Sequence, residues 1–490
     1  MKNKSFYITT TIPYVNANPH IGFALEIVQA DSIARYQRLA GREVFFNTGT
    51  DEHGQKIWEA SQKSGEDVQS YVDKYAQNYL NLKEMLNLSS DGFIRTTERR
   101  HIKASQEFWR LCDTKGDIYK KKYKGMYCVG CEKFITEKDL VNGKCEFHPT
   151  LVLEVVEEEN YFFKLTNYRK QLLEYLSDKK SILPEWRRQE AIEFVQDGME
   201  DFSISRNKKR FSWGVPIPND DEQVMYVWFD AFVNYISTLG WSGIPPPPLQ
   251  GEGRGEVNNF QKFWVDGEKV QVAGKDMIKF QSVMWQGMLM SAGLPTTDTV
   301  VYHGFVTGEG GVRMSKSIGN VIGPNDVVAE YGTDALRYFL LREISTFEDS
   351  PFTMERFKDA YNANLANGLG NLASRILTLS EKYLEKCPEI PEHSIPQEFK
   401  DYLDKFEIKK ATDFIWDRIG ELDELIQKEE PFKVVKVDLE KGKKMINGLV
   451  LKLYTIARML NPIMPETNVL LKKLIKENKK PERSLFPRKD

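Results

Sequence analysis

The sequence predicts an α/β protein with a doubly wound parallel sheet, followed by an all-helical C-terminal part. Three observations carry this reading. Phe6 to Leu39 runs as strand, loop and helix, and a second strand opens at Val44, which is βαβ spacing. Further strands are signalled by Val270 and Val272 and by Val300 and Val301, each running into a glycine-bearing turn. Beyond Pro324 the chain becomes helical and charge-rich.

In the first unit, Phe6 to Ile12 is β-rich and Pro13 ends it. Tyr14 to Pro19 is a turn segment. From Ile21 the pattern is helical: Ile21, Leu25, Val28, Tyr36 and Leu39 share an apolar face, and Gly41 stops the helix. His20 and Gly22 stand at its start. A helix N-terminus offers amides and a positive dipole end to phosphate, and a histidine there can donate to a phosphate oxygen. Taken alone, His-x-Gly equally fits an ordinary βαβ turn.

The strand Val44–Phe46 empties into a loop, Thr48-Gly49-Thr50-Asp51-Glu52-His53-Gly54, at the strand end where α/β folds bind ligands. Asp51 could pair with a ligand ammonium there, or simply be a surface carboxylate. Val68 to Leu86 reads as one amphipathic helix with Tyr71, Tyr75, Tyr79 and Leu82 turned to the core.

Cys128-Val129-Gly130-Cys131 is followed, thirteen residues on, by Cys145-Glu146-Phe147-His148. Paired knuckles of this kind supply four ligands to tetrahedral Zn²⁺, so Cys128, Cys131, Cys145 and His148 are expected to hold one structural zinc. Cys112 and Cys387 stand alone and read as packing residues. Leu151 to Pro218 reads as the rest of an inserted module, and Met225 to Ala231 resumes the core. Trp228 and Tyr235 could line an apolar pocket or merely pack. The stretch from Ile244 to Glu256, with four prolines, is low in complexity, flexible or extended, and is assigned no function. The Gly308–Gly311 turn delivers Arg313-Met314-Ser315-Lys316-Ser317, where Lys316 could neutralise charge building on a polyphosphate.

Composition bounds the rest. With 490 residues, 41% hydrophobic and 28% charged, the chain is globular, with room for roughly two to four domains. No apolar run of about eighteen residues and no signal-peptide core are present, so a cytoplasmic protein without a membrane partner is expected. A net charge of −3 does not announce a nucleic-acid partner. Lys120, Lys121, Lys122 and Lys124 nevertheless cluster, and the tail from Lys472 to Lys489 is basic; each fits a solvated face as well as a contact with an anionic partner. Five cysteines, three of them in one group, do not make a disulfide framework.

His20-Ile21-Gly22 and Met314-Ser315-Lys316-Ser317 together resemble the paired signature motifs of the class I aminoacyl-tRNA synthetases. Pro13 to Ala17, Gly49 to Gly54, Tyr226 to Ala231 and Gly274-Lys275-Asp276 match, in order, the methionyl branch of that class, over nearly the whole length. The resemblance implies a Rossmann-like catalytic domain (1–115 and 223–323), a zinc-binding insertion (116–222), a junction contacting the tRNA stem (324–355) and an α-helical anticodon-binding domain (356–490). It implies ATP with Mg²⁺, methionine and methionine tRNA as partners, and a methionyl-adenylate intermediate. His20 and Lys316 would be catalytic; His20, Gly22, Gly274, Asp276, Arg313, Ser315 and Lys316 would hold ATP. Ile12, Tyr14, Asp51, Trp228, Ala231, Tyr235 and Gln281 would hold methionine, and Asn371, Arg375 and Phe432 the anticodon. Relatives with a further C-terminal domain are dimers; this chain ends before it, which implies a monomer. The sequence departs from the family pattern at Phe23 and Gln281, both histidines there, and at Arg313 and Phe432, a lysine and a tryptophan. The other reading is a catalytically silent paralogue that binds tRNA or another RNA.

Overall fold

The computed structural model describes residues 4–490 apart from 130–132, 136–139, 147–148, 211, 244–258, 313, 315–321 and 391–394. The chain forms two compact units: one of Met1–Pro19, Arg42–Asn81 and Ser90–Tyr302, the other of His20–Gly41, Leu82–Ser89 and His303–Asp490.

The first unit is built on a six-stranded sheet. Strands β1 (Phe6–Thr10), β2 (Val44–Thr50) and β3 (Gly92–Arg95) lie side by side, and β1 is flanked on its other edge by the strand Glu268–Gly274, then Thr299–His303 and Ile182–Leu183. The pairs of β1 with β2, β1 with Glu268–Gly274, β2 with β3, and Thr299–His303 with Ile182–Leu183 are parallel. All five residues of β1 are buried, as a central parallel strand covered on both faces requires. The order places the switch in winding direction between β1 and Glu268–Gly274, where the loops leaving the two strands diverge and a crevice opens.

Several elements differ from the sequence reading. β2 runs to Thr50, so Thr48–Thr50 are strand, and the expected loop begins only at Asp51. Register with β3 from Asn47 to Thr50 holds them there. The helix expected over Val68–Leu86 breaks at Asn81 into Val68–Leu80 and Leu82–Met85; Tyr71, Tyr79 and Leu82 are buried and Tyr75 half-buried. Ile182–Leu183 joins the parallel sheet, so the stretch expected as one insertion also supplies a sheet edge. A two-residue strand has too little alternation to be read from sequence.

The insertion's main feature is a long antiparallel pair, β4 (Ile118–Cys128) with Glu154–Phe163. The lysine cluster lies on it: Lys122 faces Glu159, and Lys124 faces Glu157 at 3.7 Å, while Lys120 reaches Asp220 at 2.8 Å. Its charge is matched within the unit. Cys112 is buried in the aromatic core around Phe108, Phe229 and Trp285, and burial pushes its thiol up to about 12, as befits a packing residue. The low-complexity stretch 244–256 lies outside the described residues.

In the second unit, helix α1 (Ile21–Leu39) has the expected limits. It is buried on more than its apolar stripe, however: Glu26, Gln29 and Asp31 are inside as well. Each has a polar partner from a distant segment. Glu26 meets His303 Nε2 at 3.0 Å, and Asp31 Oδ2 meets the Arg337 guanidinium at 2.7 Å, both partners buried. Arg337 also donates to the carbonyls of Ile463 (2.9 Å), Leu86 (3.0 Å) and Pro462 (3.1 Å). The remainder of the unit is helical. Met354–Tyr383 is one helical run with a π-turn stretch at Tyr361–Gly370, and Ile408–Glu429, Pro431–Val437, Leu439–Met459 and Pro465–Lys476 follow. Asp334 closes the start of the last of these, accepting from the Thr467 amide and hydroxyl at 2.6 Å each. Among the described residues no helix is long and apolar enough to cross a membrane.

The Arg337–Asp31 pair generates a prediction. Burial alone would raise the Asp31 carboxyl; Arg337, Arg35 and the Ser89 donors outweigh it and hold it below the usual carboxylate range. Removing one partner strands the other charge, so Arg337→Met should cost about 3–5 kcal/mol in urea unfolding. In a double-mutant cycle the added change Asp31→Asn should cost much less, because the stranded charge is gone. Independent, additive losses would show that the two side chains do not act as a pair.

Candidate active site

His20 is the N-cap of α1: its backbone is extended (φ −116°, ψ 169°) and its Nδ1 accepts from the Gly22 amide at 3.0 Å. Nδ1 is therefore the unprotonated nitrogen, and Nε2 carries the hydrogen that a ligand oxygen could accept. The first four amides of the helix are all engaged. Ile21 N–H goes to the Ile322 carbonyl, Gly22 N–H to the His20 ring, and Phe23 and Ala24 N–H to the His20 carbonyl. The amide cradle expected for phosphate is thus already filled by the cap. A Cβ at Gly22 would come within 2.9 Å of His20 Cε1, so glycine makes room for the imidazole. Phe23 is buried in the core of this unit, where an apolar ring fits and a histidine would have to be desolvated.

Within the first unit, the end of β1 and the end of β2 are laced together beyond the sheet. Tyr14 and Asp51 form a parallel bridge, with Asp51 N–H donating to the Pro13 carbonyl at 2.9 Å and Val15 N–H to the Asp51 carbonyl at 3.2 Å. The Asp51 carboxylate is buried. The Tyr14 ring meets Trp228 edge to face at 6.3 Å, and Trp228 stacks on Phe280 at 4.1 Å. Ala231 and Tyr235 follow on the same helical segment, both buried. Gln281, also buried, donates through Nε2 to the Tyr235 hydroxyl. Ile12 is half-buried in the segment leaving β1. A buried carboxylate is thus bridged to Tyr14, whose ring leads on to Trp228 and Phe280, a combination suited to a cationic head and an apolar tail.

Behind Asp51 lies a polar framework that the sequence did not disclose. The fully buried Glu52 carboxylate takes a two-pronged grip from Arg95 (2.7 and 2.9 Å) and a bond from Thr50 Oγ1 (2.7 Å), and Trp213 Nε1 donates to its carbonyl at 2.6 Å. His53 Nδ1 lies 2.7 Å from Asp230 Oδ2, and Trp213 packs edge-on against the His53 ring. His53 and Asp230 both fall in the recognised sequence blocks, yet nothing in their spacing signalled that they meet. Phe280 was missed for the same reason, since a phenylalanine beside Gln281 reads as core.

Gly274 ends its strand and Asp276 is exposed in the turn that follows. Asp276 borders a cavity of about 250 Å³ shared with Lys275, Phe280, Glu190 and Cys145. Arg313, Ser315 and Lys316 lie outside the described residues; the turn before them has Gly310 and Gly311 at positive φ (67° and 78°), where glycine is favoured. Of the four zinc-ligand candidates, Cys128 and Cys145 are buried together in a small cluster with Ile135, and Cys131 and His148 lie outside the described residues. Among the described residues no group of three or more His, Cys, Asp or Glu side chains is placed to hold a metal. In the helical unit, Asn371 is exposed at the start of Asn371–Tyr383, and Arg375, one turn on, is ion-paired with Asp423, which also accepts from Gln427 at 2.6 Å. Phe432 keeps 37% of its surface exposed, enough to offer a ring face to solvent.

The family model for "tRNA synthetases class I (M)" matches residues 6–149 and 138–377. The methionine–tRNA ligase of Fusobacterium nucleatum is 39% identical over 95% of this chain and 73% of its own length. The chain belongs to the methionyl class I tRNA synthetases. The corresponding ligase of Rhizobium meliloti is 38% identical over 94% of this chain and 90% of its own. Among solved structures, Mycobacterium tuberculosis methionyl-tRNA synthetase in complex with methionyl-adenylate superposes with a TM-score of 0.89 at 33% identity, covering 99% of this chain and 100% of that one. The parallel-sheet domain and the helical C-terminal region therefore both belong to the family architecture.

The histidines behind the pocket give a pH prediction. His101 is buried, with Ser237 Oγ at 3.0 Å and Ser105 Oγ at 3.2 Å from its two ring nitrogens. Burial, with His53 nearby, lowers its pKa from 6.5 to about 3. Between those values the unfolded chain binds the extra proton, so stability is present above about 6.5 and is lost as pH falls toward 3. His101→Gln should shrink the loss of stability between pH 7 and pH 5, measured by urea unfolding at both. An unchanged pH difference would show that His101 titrates normally.

Proposed function

We propose that this chain activates methionine with ATP and transfers it to methionine tRNA in the cytoplasm. The observation that carries the reading is the buried Asp51 carboxylate, held on the Tyr14 bridge beside the Trp228–Phe280 aromatic wall at the carboxyl end of the parallel sheet. Asp51 takes the methionine ammonium. Ile12, Tyr14, Trp228, Ala231, Tyr235 and Gln281 surround the thioether, where sulfur–aromatic contact favours methionine. Gly274 and Asp276 take the adenosine ribose. His20, through Nε2–H, and Arg313, Ser315 and Lys316 hold the phosphates, with Gly22 leaving room for the His20 ring.

In the first step a methionine carboxylate oxygen forms a bond to the α-phosphorus of Mg²⁺-ATP, and the bond from that phosphorus to the α,β-bridging oxygen breaks, so that pyrophosphate leaves with the bridging oxygen. No protein nucleophile is required: the residues neutralise the phosphate charge as it redistributes. In the second step the 2′-hydroxyl of the terminal adenosine of tRNA attacks the methionyl carbonyl, and AMP leaves. Asn371, Arg375 and Phe432 read the anticodon, with Asp423 setting the Arg375 guanidinium and Phe432 stacking without the indole donor of the family tryptophan.

Cys128, Cys131, Cys145 and His148 hold one structural zinc. What supports this is the chemistry of the donor set and the burial of Cys128 and Cys145 in one cluster, with the Asn142–Gly143 turn at positive φ leading into the strand Lys144–Cys145. Bound there, zinc cross-links the tip of the insertion.

Methionine-dependent ATP–pyrophosphate exchange, run across the twenty amino acids, tests the function. Exchange with methionine above all others is expected. Exchange with another amino acid would reassign the substrate, and none at all, in protein that still binds tRNA, would favour the silent paralogue. In the same assay Lys316→Ala should lower kcat by roughly a hundredfold or more while methionine binding changes little. Near-normal turnover would remove Lys316 from the phosphate machinery. Metal analysis of protein never exposed to chelator should find about one zinc per chain, and Cys145→Ala should lose it and loosen the insertion to proteolysis. Metal-free, folded protein would refute the zinc site.

A further inference from the structure

None of the proposed anticodon residues, Asn371, Arg375 and Phe432, belongs to the basic tail noted in the sequence. Helix Pro465–Lys476 turns Val469, Lys472, Lys473 and Lys476 to one side, at spacings of three and four residues. Val469 is 66% exposed, Lys473 and Lys476 are exposed, and Lys472 is half-buried. The neighbouring helix Leu439–Met459 adds Arg458 from its last turn. The two helices are held in fixed register, since Asn468 donates from its side chain to the Ala457 carbonyl, one residue before Arg458.

Burial, then the nearby charges of Lys476 and Arg458, lower the Lys472 pKa from its usual value. Among the described residues none of Arg458, Lys472 and Lys476 has an ion-pair partner, whereas Lys480 close by pairs with Glu381, Lys120 with Asp220 and Lys124 with Glu157. Like charges held together without a counter-charge are unfavourable for the free protein. Cations near a helix C-terminus gain a little from the dipole, but that gain needs neither Arg458 nor a shared face.

We propose that Arg458, Lys472 and Lys476, with Lys473 at their edge, form a second tRNA-binding site that grips the phosphodiester backbone, separate from the anticodon residues. Lys472 and Lys476 are about 6 Å apart along the helix, a step that suits neighbouring phosphates. Such contacts position the nucleic acid without reading its sequence. The proposal rests on the tRNA-charging function above.

The test uses the full chain with Arg458, Lys472 and Lys476 all changed to Gln, and a methionine tRNA transcript as probe. Binding at low salt should weaken about tenfold, and the slope of log affinity against log salt should become shallower by about 2. The loss should be equal for a transcript with a changed anticodon, and methionine-dependent exchange should be unaffected. The charge-preserving variant Lys472→Arg with Lys476→Arg should bind like wild type. Unchanged affinity and salt slope in the Gln variant would overturn the proposal, as would failure of the Arg variant to bind, which would mark a packing role. Preference of the wild-type surface for polyglutamate over tRNA would also overturn it and point to an acidic protein. If wild type supports no methionine exchange, the functional reading fails first; if it charges tRNA and the Gln variant binds tRNA equally well, only this site fails.

Discussion

A guanidinium with no exposed surface constrains the second unit more than any other single group. Arg337 meets Asp31 and three backbone carbonyls, from Leu86, Pro462 and Ile463, so three separate stretches of chain converge on one side chain. Burying two charges costs several kcal/mol per ion unless geometry and hydrogen bonds repay it, and here nearly every donor is used. The consequence reaches His20, because Asp31 sits on the helix that His20 caps. With the helix fixed from its middle by Arg337 and Glu26–His303, and from its start by the Ile21–Ile322 bond, the cap histidine has a defined position and a defined tautomer.

The first unit solves the same problem with different residues. For the role proposed for it, Asp51 would have to be buried yet charged, and an isolated carboxylate in such a place would sooner neutralise. Its backbone is fixed by the bridge to Tyr14, and the next residue, Glu52, spends its own charge on Arg95. His53 then turns to Asp230, where burial raises the carboxyl despite the histidine. Three consecutive polar residues thus have three different surroundings, and the first is the one proposed to meet the ligand. This is preorganisation by backbone and by neighbouring ion pairs, with the strain-free end of a parallel strand as its base.

How much of this was legible in the sequence depended on the range of the determinant. Helix α1 was readable to the residue because the apolar face from Ile21 to Leu39 and the stop at Gly41 are local signals. The burial of Glu26 and Asp31 was not, because their partners His303 and Arg337 lie about 300 positions away and a polar helix face normally means solvent. Tyr14, Asp51, Trp228, Tyr235 and Gln281 were legible as blocks of a known pattern, but their pairing was visible only in the fold. The Glu52–Arg95 and His53–Asp230 pairs left no trace in either periodicity or spacing. The filled amides at the start of α1 also had to be seen: a helix N-terminus followed by glycine reads as an anion cradle until the cap residue itself takes the bonds.

Gln281 shows how a departure from the family pattern can be absorbed. Its side-chain nitrogen donates to the Tyr235 hydroxyl, its backbone carbonyl accepts from Gln286 Nε2 at 2.8 Å, and the Tyr235 backbone carbonyl in turn accepts from the Tyr7 hydroxyl at 2.7 Å. An amide does not titrate near neutrality, so this lattice keeps the same donors across the range where a histidine would change charge. Gln281 Oε1, however, is buried without a hydrogen-bond partner among the described residues. An unmet acceptor costs about 1–3 kcal/mol, which a ligand N–H or O–H would relieve. The thioether and methyl of methionine offer no such donor, so the amide gives methionine no advantage over other side chains of its size. In the proposed pocket the preference for methionine must therefore come from the Trp228 and Phe280 faces, whose contact with a polarisable sulfur is what a hydrocarbon side chain of the same shape lacks.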